Sequence, residues 1–177
     1  MNISFVIPCL NSELIIKSSV KKLTKKLKKI KNLNYELILI DDGSSDKTNK
    51  IINDLKKKNI KIITNSTNLG KSTSLIKGIK LAKFKKIIII DCDLPYFKYL
   101  SGLINHLKKH DLVYINRKSP ESRLETRRLN LYQISRYFIG RIICSTLNIL
   151  LLNTSTGDTQ AGLKGFNKPK NFKNIKF

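Results

Sequence analysis

Acidic residues are scarce in this chain: 12 Asp and Glu stand against 35 Lys and Arg among 177 residues, a formal net charge of +23. Cysteine is scarce too. Cys9, Cys92 and Cys144 are odd in number and form no C-x-x-C pair, which excludes a disulfide-stapled miniprotein and fits a reducing cytosol best. No long hydrophobic run is present. The longest uncharged apolar stretch, Ile142 to Leu152, is interrupted by Asn148 and is too short to span roughly 30 Å of hydrocarbon. The opening MNISFVIPCLNSE lacks the basic-then-apolar layout of a signal peptide, and neither internal repeats nor low-complexity linkers break up the chain. With 41% hydrophobic residues there is enough material for one sizeable core, so wholesale disorder and a collagen-like fibre are excluded.

What is abundant is lysine, at 29 of the 35 basic residues, together with Ile and Asn. Such a trio can reflect an AT-rich genome. A strongly basic chain attracts nucleic acid, anionic lipid or phosphorylated substrates through its long-range field, and charge alone does not choose among them. Val20, Leu23, Leu27 and Ile30 fall at helical spacing while Lys21, Lys22, Lys25, Lys26, Lys28 and Lys29 fill the other positions, predicting an amphipathic helix with a solvated face over a core stripe. No aromatic interleaves these lysines, which argues against single-strand nucleic acid. No nucleic-acid partner is expected.

Apolar runs of strand length recur at Ile3 to Ile7, Glu36 to Ile40, Ile60 to Thr64, Ile87 to Ile90 and Leu112 to Ile115. Short, continuous and β-branched, they read as strands buried on both faces of a mostly parallel sheet. Helical patterns between them, from about Asp46 to Lys58, Ser72 to Lys83 and Tyr96 to Lys109, complete the order βαβαβαβαβ. That alternation specifies an α/β, Rossmann-like, doubly wound sheet flanked by helices, with right-handed crossovers. After Ile115 the texture changes. Arg117 to Arg128 is polar and holds four of the six arginines, Leu129 to Leu152 is mostly apolar with helical spacing, and Lys164 to Phe177 reads as a frayed, Lys- and Asn-rich end.

Five of the twelve acidic residues sit at two places: Asp41, Asp42 and Asp46 after the second strand, Asp91 and Asp93 after the fourth. Open α/β sheets bind ligands outside the carboxyl ends of their strands, at a topological switch point. In a sheet ordered 3-2-1-4 the switch falls between strands one and four, so Pro8 to Asn11 and Asp91-Cys92-Asp93 flank one crevice and Cys9 becomes a neighbour of Cys92. Carboxylates two apart at a strand end can converge on one hard cation, and Mg²⁺ is usually held by one or two carboxylates plus substrate phosphates. Asp42-Gly43-Ser44-Ser45-Asp46 is a turn and helix cap, and Asp41 and Asp42 can also accept hydrogen bonds from a base or ribose. Asn65 to Ser72 ends like a phosphate-binding loop but carries Asn65 where the first Gly belongs; a Gly-assisted helix start with Lys71 aimed at a diphosphate fits better. His106 and His110 are four apart with no third ligand nearby, a surface or capping pair rather than a zinc site.

Phe5-Val6-Ile7-Pro8-Cys9-Leu10-Asn11-Ser12-Glu13, Ile40-Asp41-Asp42-Gly43-Ser44-Ser45-Asp46, Asn68-Leu69-Gly70-Lys71 and Asp91-Cys92-Asp93-Leu94 resemble, in order and spacing, the inverting family-two glycosyltransferases of GT-A fold. Asp111-Leu112-Val113 with Arg117, the Arg127-Arg128 pair and Asp158 to Phe166 are similar to the polyprenyl-phosphate branch, the dolichyl-phosphate mannosyl- and glucosyltransferases. The resemblance covers about residues 3 to 166. It implies one catalytic domain over 1–166 with a basic tail at 167–177. It also implies transfer of a hexose from UDP-glucose or GDP-mannose to a polyprenyl phosphate lipid, with inversion, at the cytoplasmic face of a membrane.

Residue by residue, it implies nucleotide-sugar contact by Pro8, Cys9, Leu10, Glu13, Asp41, Asp42, Lys71 and Asp91. Asp91 and Asp93 match the Asp-x-Asp that holds Mg²⁺ or Mn²⁺ on the donor diphosphate, and Arg117, Arg127 and Arg128 match acceptor-phosphate positions. Asp91, Asp93 and Arg117 are the catalytic candidates. Leu10 stands where many relatives carry Tyr, and Leu94-Pro95 follows the Asp-x-Asp where a Gln often adds a ligand in the mannosyl branch; the latter and Asp158-Thr159-Gln160 tilt towards glucosyl. Two alternatives stand beside this reading. A hydroxyl acceptor on a polysaccharide or glycolipid would need a general base, for which Asp158 is the obvious late carboxylate. A truncated remnant would bind nucleotide and transfer nothing.

Overall fold

A computed structural model describes residues 1–116 and 161–169. Arg117, Arg127, Arg128, Cys144, Asp158, the run from Leu129 to Leu152 and the tail beyond residue 169 lie outside the described residues. The elements are β1 (Asn2–Cys9), α1 (Ile16–Lys28), β2 (Asn34–Asp41), α2 (Thr48–Asp54), β3 (Ile60–Thr64), α3 (Lys71–Leu81), β4 (Lys86–Ile90), a 3₁₀ turn (Phe97–Tyr99), α4 (Leu100–His106), β5 (Leu112–Tyr114) and β6 (Leu163–Asn167). They form one sheet in the order β3-β2-β1-β4-β6-β5. The residues up to Tyr114 and those from Gly162 belong to one compact unit.

The first four strands pair in parallel, with Phe5 opposite Leu37 and Ile88, and Ile40 opposite Ile63. Because side chains alternate across a strand, Val6, Ile38, Ile40, Ile87 and Ile89 share one face, where they pack with Ile79 and Ala82 around α3. Phe5, Ile7, Leu37, Leu39, Ile88 and Ile90 occupy the alternate positions and are buried as well. A sheet covered on both faces cannot show polar alternation, and this explains the continuous apolar runs. Each such side chain contributes about 1.5–3 kcal/mol by leaving water. Close packing on the α3 side depends on Gly78, where a Cβ would sit 2.5 Å from Ile40 Cδ1 and 2.6 Å from Val6 Cγ1.

α1 buries Ile16, Val20, Leu23 and Leu27 and turns its lysines outward, with Lys22 and Lys26 over the ring of Phe97 at 4.8 and 5.5 Å. Ile30, expected in the stripe, lies beyond the helix end. α2 is shorter than the pattern from Asp46 to Lys58, because Asp46 accepts the Thr48 N–H from outside the helix and Lys57 bridges back to Ile60. α4 starts late because Tyr96 is in the left-handed region, at φ 58°.

Two expectations at the end of the chain are corrected. Lys164 to Asn167 is not frayed: β6 runs antiparallel between β4 and β5, pairing Ile88 and Val113 with Gly165. Asn167 and Lys168 are tied down by their N–H bonds to Asp111 O and Lys85 O. The Leu112 strand is not buried on both faces, since it is a three-residue edge with Leu112 60% exposed. Among the described residues, no helix is long and apolar enough to cross a membrane.

Candidate active site

Parallel strands deliver four loops to one edge of the sheet, and side chains clamp the first two together. The Asn11 N–H donates to Ser44 Oγ at 3.0 Å and Asn11 Oδ1 accepts from Ser45 N at 2.9 Å. Ser12 N donates to Thr48 Oγ1 at 2.7 Å. Glu13 and Asp46 exchange reciprocally, with Glu13 N donating to Asp46 Oδ2 and Lys47 N to Glu13 Oε2. Five backbone N–H groups that strand and helix ends leave open thus find partners across the gap. Asn11 takes a positive φ of 46° to do so, a conformation Asn tolerates better than most residues.

The second and third loops are joined by a buried polar hub. Asn65 is buried; its amide donates to Asp42 Oδ1 and to Ser74 Oγ, both at 2.8 Å, and its carbonyl accepts from Lys77 Nζ at 2.7 Å. Asp42 Oδ1 also accepts from Leu69 N at 3.0 Å. Burial alone would raise the Asp42 pKa, but the donors Asn65, Ser74, Leu69 and Gly70 outweigh it and hold the carboxyl below its ordinary value. Asp41 is likewise buried and accepts from Ser44 N and Asn49 Nδ2. The two carboxylates therefore hold their own loops in shape. Gly43 is required between them: at φ +73° a Cβ would lie 2.6 Å from Asn68 N and closer still to the Thr67 carbonyl carbon.

Across the switch point, Asp91, Cys92 and Asp93 follow β4. The Asp91 N–H donates to Gly162 O at 3.1 Å, fixing the loop to the start of β6. Gly162 is the residue that admits the Asp91 carboxylate, because a Cβ there would be 2.6 Å from Oδ2 and 2.8 Å from Pro95 Cγ. Asp91 Oδ1 is shut off from water and accepts no well-directed hydrogen bond; the Lys71 ammonium, 2.6 Å away, is its counter-ion. Asp93 is exposed. Leu94 and Tyr96 both adopt positive φ, 55° and 58°, and the buried Leu94 side chain anchors the strained turn. Each such residue costs of order 1–3 kcal/mol.

Cys9 and Cys92 are neighbours, as the strand order predicts, and both are free thiols. The neighbouring Cys92 and burial push the Cys9 thiol far up, while the neighbouring Cys9 brings Cys92 down to about 6. The Ser12 hydroxyl lies 3.2 Å from Cys92 Sγ and 3.0 Å from the Leu10 carbonyl. Pro8 is half-buried near the end of β1, and Leu10, Lys71 and Asp93 face solvent.

A hard divalent cation fits this donor set. The Asp91 carboxylate, whose Oδ1 has a lysine counter-ion but accepts no well-directed hydrogen bond, and the exposed Asp93 carboxylate supply hard oxygens, and among the described residues no group of three or more His, Cys, Asp or Glu gathers to complete a closed protein cage. The remaining ligands would come from phosphate and water, the usual arrangement for Mg²⁺. Sequence reasoning gave no role to Asn65, Ser12 or Gly162. The signals available were an Asn directly after a strand, a Ser in the first loop, and a Gly whose importance is visible only once β6 is placed beside Asp91.

A sequence model described as Glycosyl transferase family 2 matches residues 4–172, most of the chain. The chain belongs to glycosyl transferase family 2. It is 28% identical, over 94% of its length and 54% of the other protein, to a dolichyl-phosphate beta-glucosyltransferase of Dictyostelium discoideum. To the poly-beta-1,6-N-acetyl-D-glucosamine synthase of Staphylococcus epidermidis it is 30% identical over 88% of its length and 38% of that protein. Glucosyl-3-phosphoglycerate synthase from Mycobacterium tuberculosis, solved with Mn²⁺, UDP and phosphoglyceric acid, shares the fold. Its TM-score is 0.61 at 20% identity, covering 94% of this chain and 55% of that one. The chain thus spans about half or less of the length of these relatives, and the family's GT-A sheet is the one described above.

Proposed function

We propose that the chain transfers a hexose, glucose or mannose, from a nucleotide sugar to a polyprenyl phosphate with inversion at the anomeric carbon. The observation that carries this is the Asp91–Asp93 pair at the end of β4, facing the Pro8-to-Glu13 loop across the switch point, with Asp91 Oδ1 held only by the Lys71 ammonium and Asp93 exposed. The likeness to a dolichyl-phosphate glucosyltransferase over nearly the whole chain supports a lipid-phosphate acceptor. Residues 1–166 act as the catalytic domain.

In this reading the crevice takes UDP-glucose or GDP-mannose. Pro8, Cys9, Leu10 and Glu13 line its β1 side, while Asp41 and Asp42 set the shape of the wall beside it. Mg²⁺ or Mn²⁺, when bound by Asp91 and Asp93, supplies a Lewis acid for the negative charge that gathers on the departing nucleoside diphosphate. Lys71 then faces the same diphosphate, since its ammonium already reaches Asp91. An acceptor phosphate is anionic and needs no general base. Arg117, Arg127 and Arg128 are assigned to it because a planar fork binds phosphate bidentately. Contact with the lipid is peripheral, at the cytoplasmic face of the membrane, through the lysine face of α1 and the stretch from Leu129 to Leu152.

A second reading has one observation in its favour, the 30% identity to a polysaccharide synthase: transfer to a hydroxyl, with Asp158 as base. The deciding experiment incubates purified chain with Mg²⁺ or Mn²⁺, polyprenyl phosphate and labelled UDP-glucose or GDP-mannose, then counts label extracted into organic solvent. Label that requires metal and is lost in Asp93→Asn supports the proposal. Metal-dependent nucleotide binding without lipid label overturns the acceptor assignment, and no nucleotide binding overturns the enzyme reading.

A further inference from the structure

The ion pair between the third and fourth loops joins a fixed carboxylate to a loosely held lysine, with Lys71 Nζ 2.6 Å from Asp91 Oδ1. Asp91 is held by its surroundings: its N–H donates to Gly162 O at 3.1 Å, its carbonyl accepts from Leu94 N at 2.9 Å, and a Cβ at Gly162 would sit 2.6 Å from Oδ2. Lys71 lacks such support. It is the first residue of α3, whose N-cap Gly70 takes a φ of 85° with no side-chain cap. A Cβ at Gly70 would meet nothing within 4 Å, and every residue from Ser66 to Thr73 is exposed. The lysine side chain is 57% exposed against 27% for the carboxylate. When this pair parts, the lysine moves and the carboxylate stays.

What can part them follows from burial. Asp91 Oδ1 is shut off from water and accepts no well-directed hydrogen bond, and a carboxylate oxygen so placed is strongly disfavoured without a counter-charge. Lys71 therefore leaves only as another cation reaches Asp91, and a cation arriving alone meets an ammonium that repels it. An anion approaching Lys71 alone competes with Asp91 in the same way. When a divalent cation and a diphosphate arrive together, no charge loses its partner. Asp91 is then balanced by the cation, and the lysine end swings a short way onto the phosphate oxygens.

We propose that Lys71 is an exchangeable counter-ion, passing from Asp91 to the diphosphate, so that the crevice binds divalent cation and nucleoside diphosphate as a pair and each of them poorly alone. The exchange rests on the nucleotide-sugar reading above and adds to it a coupling between the two ligands. Coupling of this kind is reciprocal: by whatever factor the diphosphate strengthens cation binding, the cation strengthens diphosphate binding. Between turnovers the lysine keeps Asp91 balanced and holds stray cation off it.

The test uses the full chain, Lys71→Ala, Asp91→Asn and the double variant. Mn²⁺ alone is titrated by electron paramagnetic resonance; UDP and GDP are titrated by calorimetry, with saturating Mn²⁺ and again in EDTA. Lys71→Ala should bind Mn²⁺ alone about fivefold tighter and nucleotide with Mn²⁺ at least about fivefold weaker, two shifts of opposite sign. A lysine that only balances Asp91 would leave nucleotide binding unchanged, and one that only contacts phosphate would leave Mn²⁺ unchanged. In EDTA, Asp91→Asn frees Lys71 and should tighten nucleotide binding at least about threefold, but less than about twofold in the Lys71→Ala background. Unchanged Mn²⁺ affinity, shifts of the same sign, or equal effects of Asp91→Asn in both backgrounds overturn the exchange, and nucleotide binding by wild type then leaves the function proposed above standing. Wild type that binds neither nucleotide, with or without Mn²⁺, overturns both.

Discussion

Replacing Asn65 by Ala removes the hub between the second and third loops. Three bonds go: to Asp42 Oδ1 and Ser74 Oγ at 2.8 Å, and from Lys77 at 2.7 Å. A hydrogen bond to an ionised carboxylate contributes about 1.5–3 kcal/mol and a neutral one about 1. Asp42 and Ser74 are buried, so neither recovers its loss from water, whereas the exposed Lys77 does. The expected destabilisation is about 3 kcal/mol, or about 6–12 °C in Tm for a chain of this size. pH supplies an independent check. The folded-state pKa of Asp42 is lowered, burial being outweighed by its donors, so its contribution is full above the unfolded value near ~3.9 and is lost as pH falls through the folded value. The gap between wild type and Asn65→Ala should therefore be widest at neutral pH and narrow below about pH 4. Thermal melts followed by circular dichroism across that range measure it. A drop under about 2 °C at pH 7, or a gap that does not shrink in acid, would refute the account.

Glu36, buried in β2, accepts from Ser4 Oγ and Lys83 N at 2.6 Å and pairs with Lys61 at 2.9 Å, contacts that outweigh its burial and lower its pKa. Glu36→Gln should cost about 2 kcal/mol at neutral pH and progressively less below pH ~4, read from urea midpoints at each pH. Gly70→Ala should cost about 1–2 kcal/mol, because its φ is +85° but a Cβ meets nothing within 4 Å. Gly43→Ala should cost about 3 kcal/mol or more, since the backbone of Thr67 and Asn68 blocks the Cβ as well; equal melts for the two would contradict the contact. Lys71→Ala frees Asp91 from its counter-ion, and for a partly exposed pair worth about 1 kcal/mol Mn²⁺ alone should bind about fivefold tighter by electron paramagnetic resonance.

β1, β2 and β4 were legible because their runs are almost wholly apolar, the form a strand takes when both its faces are covered; β3, half-buried at the sheet edge, was legible by its three isoleucines. Leu163-Lys164-Gly165-Phe166-Asn167 was not. It is short, interrupted by Gly165 and set in a lysine-rich stretch, and its place depends on an antiparallel partner far away in the chain. The carboxylates were legible as clusters but not in their division of labour. Nothing in Asp41-Asp42 announces that loop amides and Asn65 already occupy those oxygens, whereas the place of Asp91 follows from strand order and from the absent side chain at Gly162.

The place of β6 also governs how the chain must fold. Its partner β4 is complete at Ile90, yet the strand that covers β4 begins only at Leu163. Until that later segment arrives, Ile87 to Ile90 presents an unpaired row of amides beside four consecutive isoleucines, the composition most prone to pair with another chain. Closing so long a loop is slow relative to forming the local β1–β2–β3 crossovers. Cotranslational folding should pass through a stage with a sticky open edge, and the lysines at 83, 85 and 86 immediately before it stand where like-charge repulsion keeps two such edges apart.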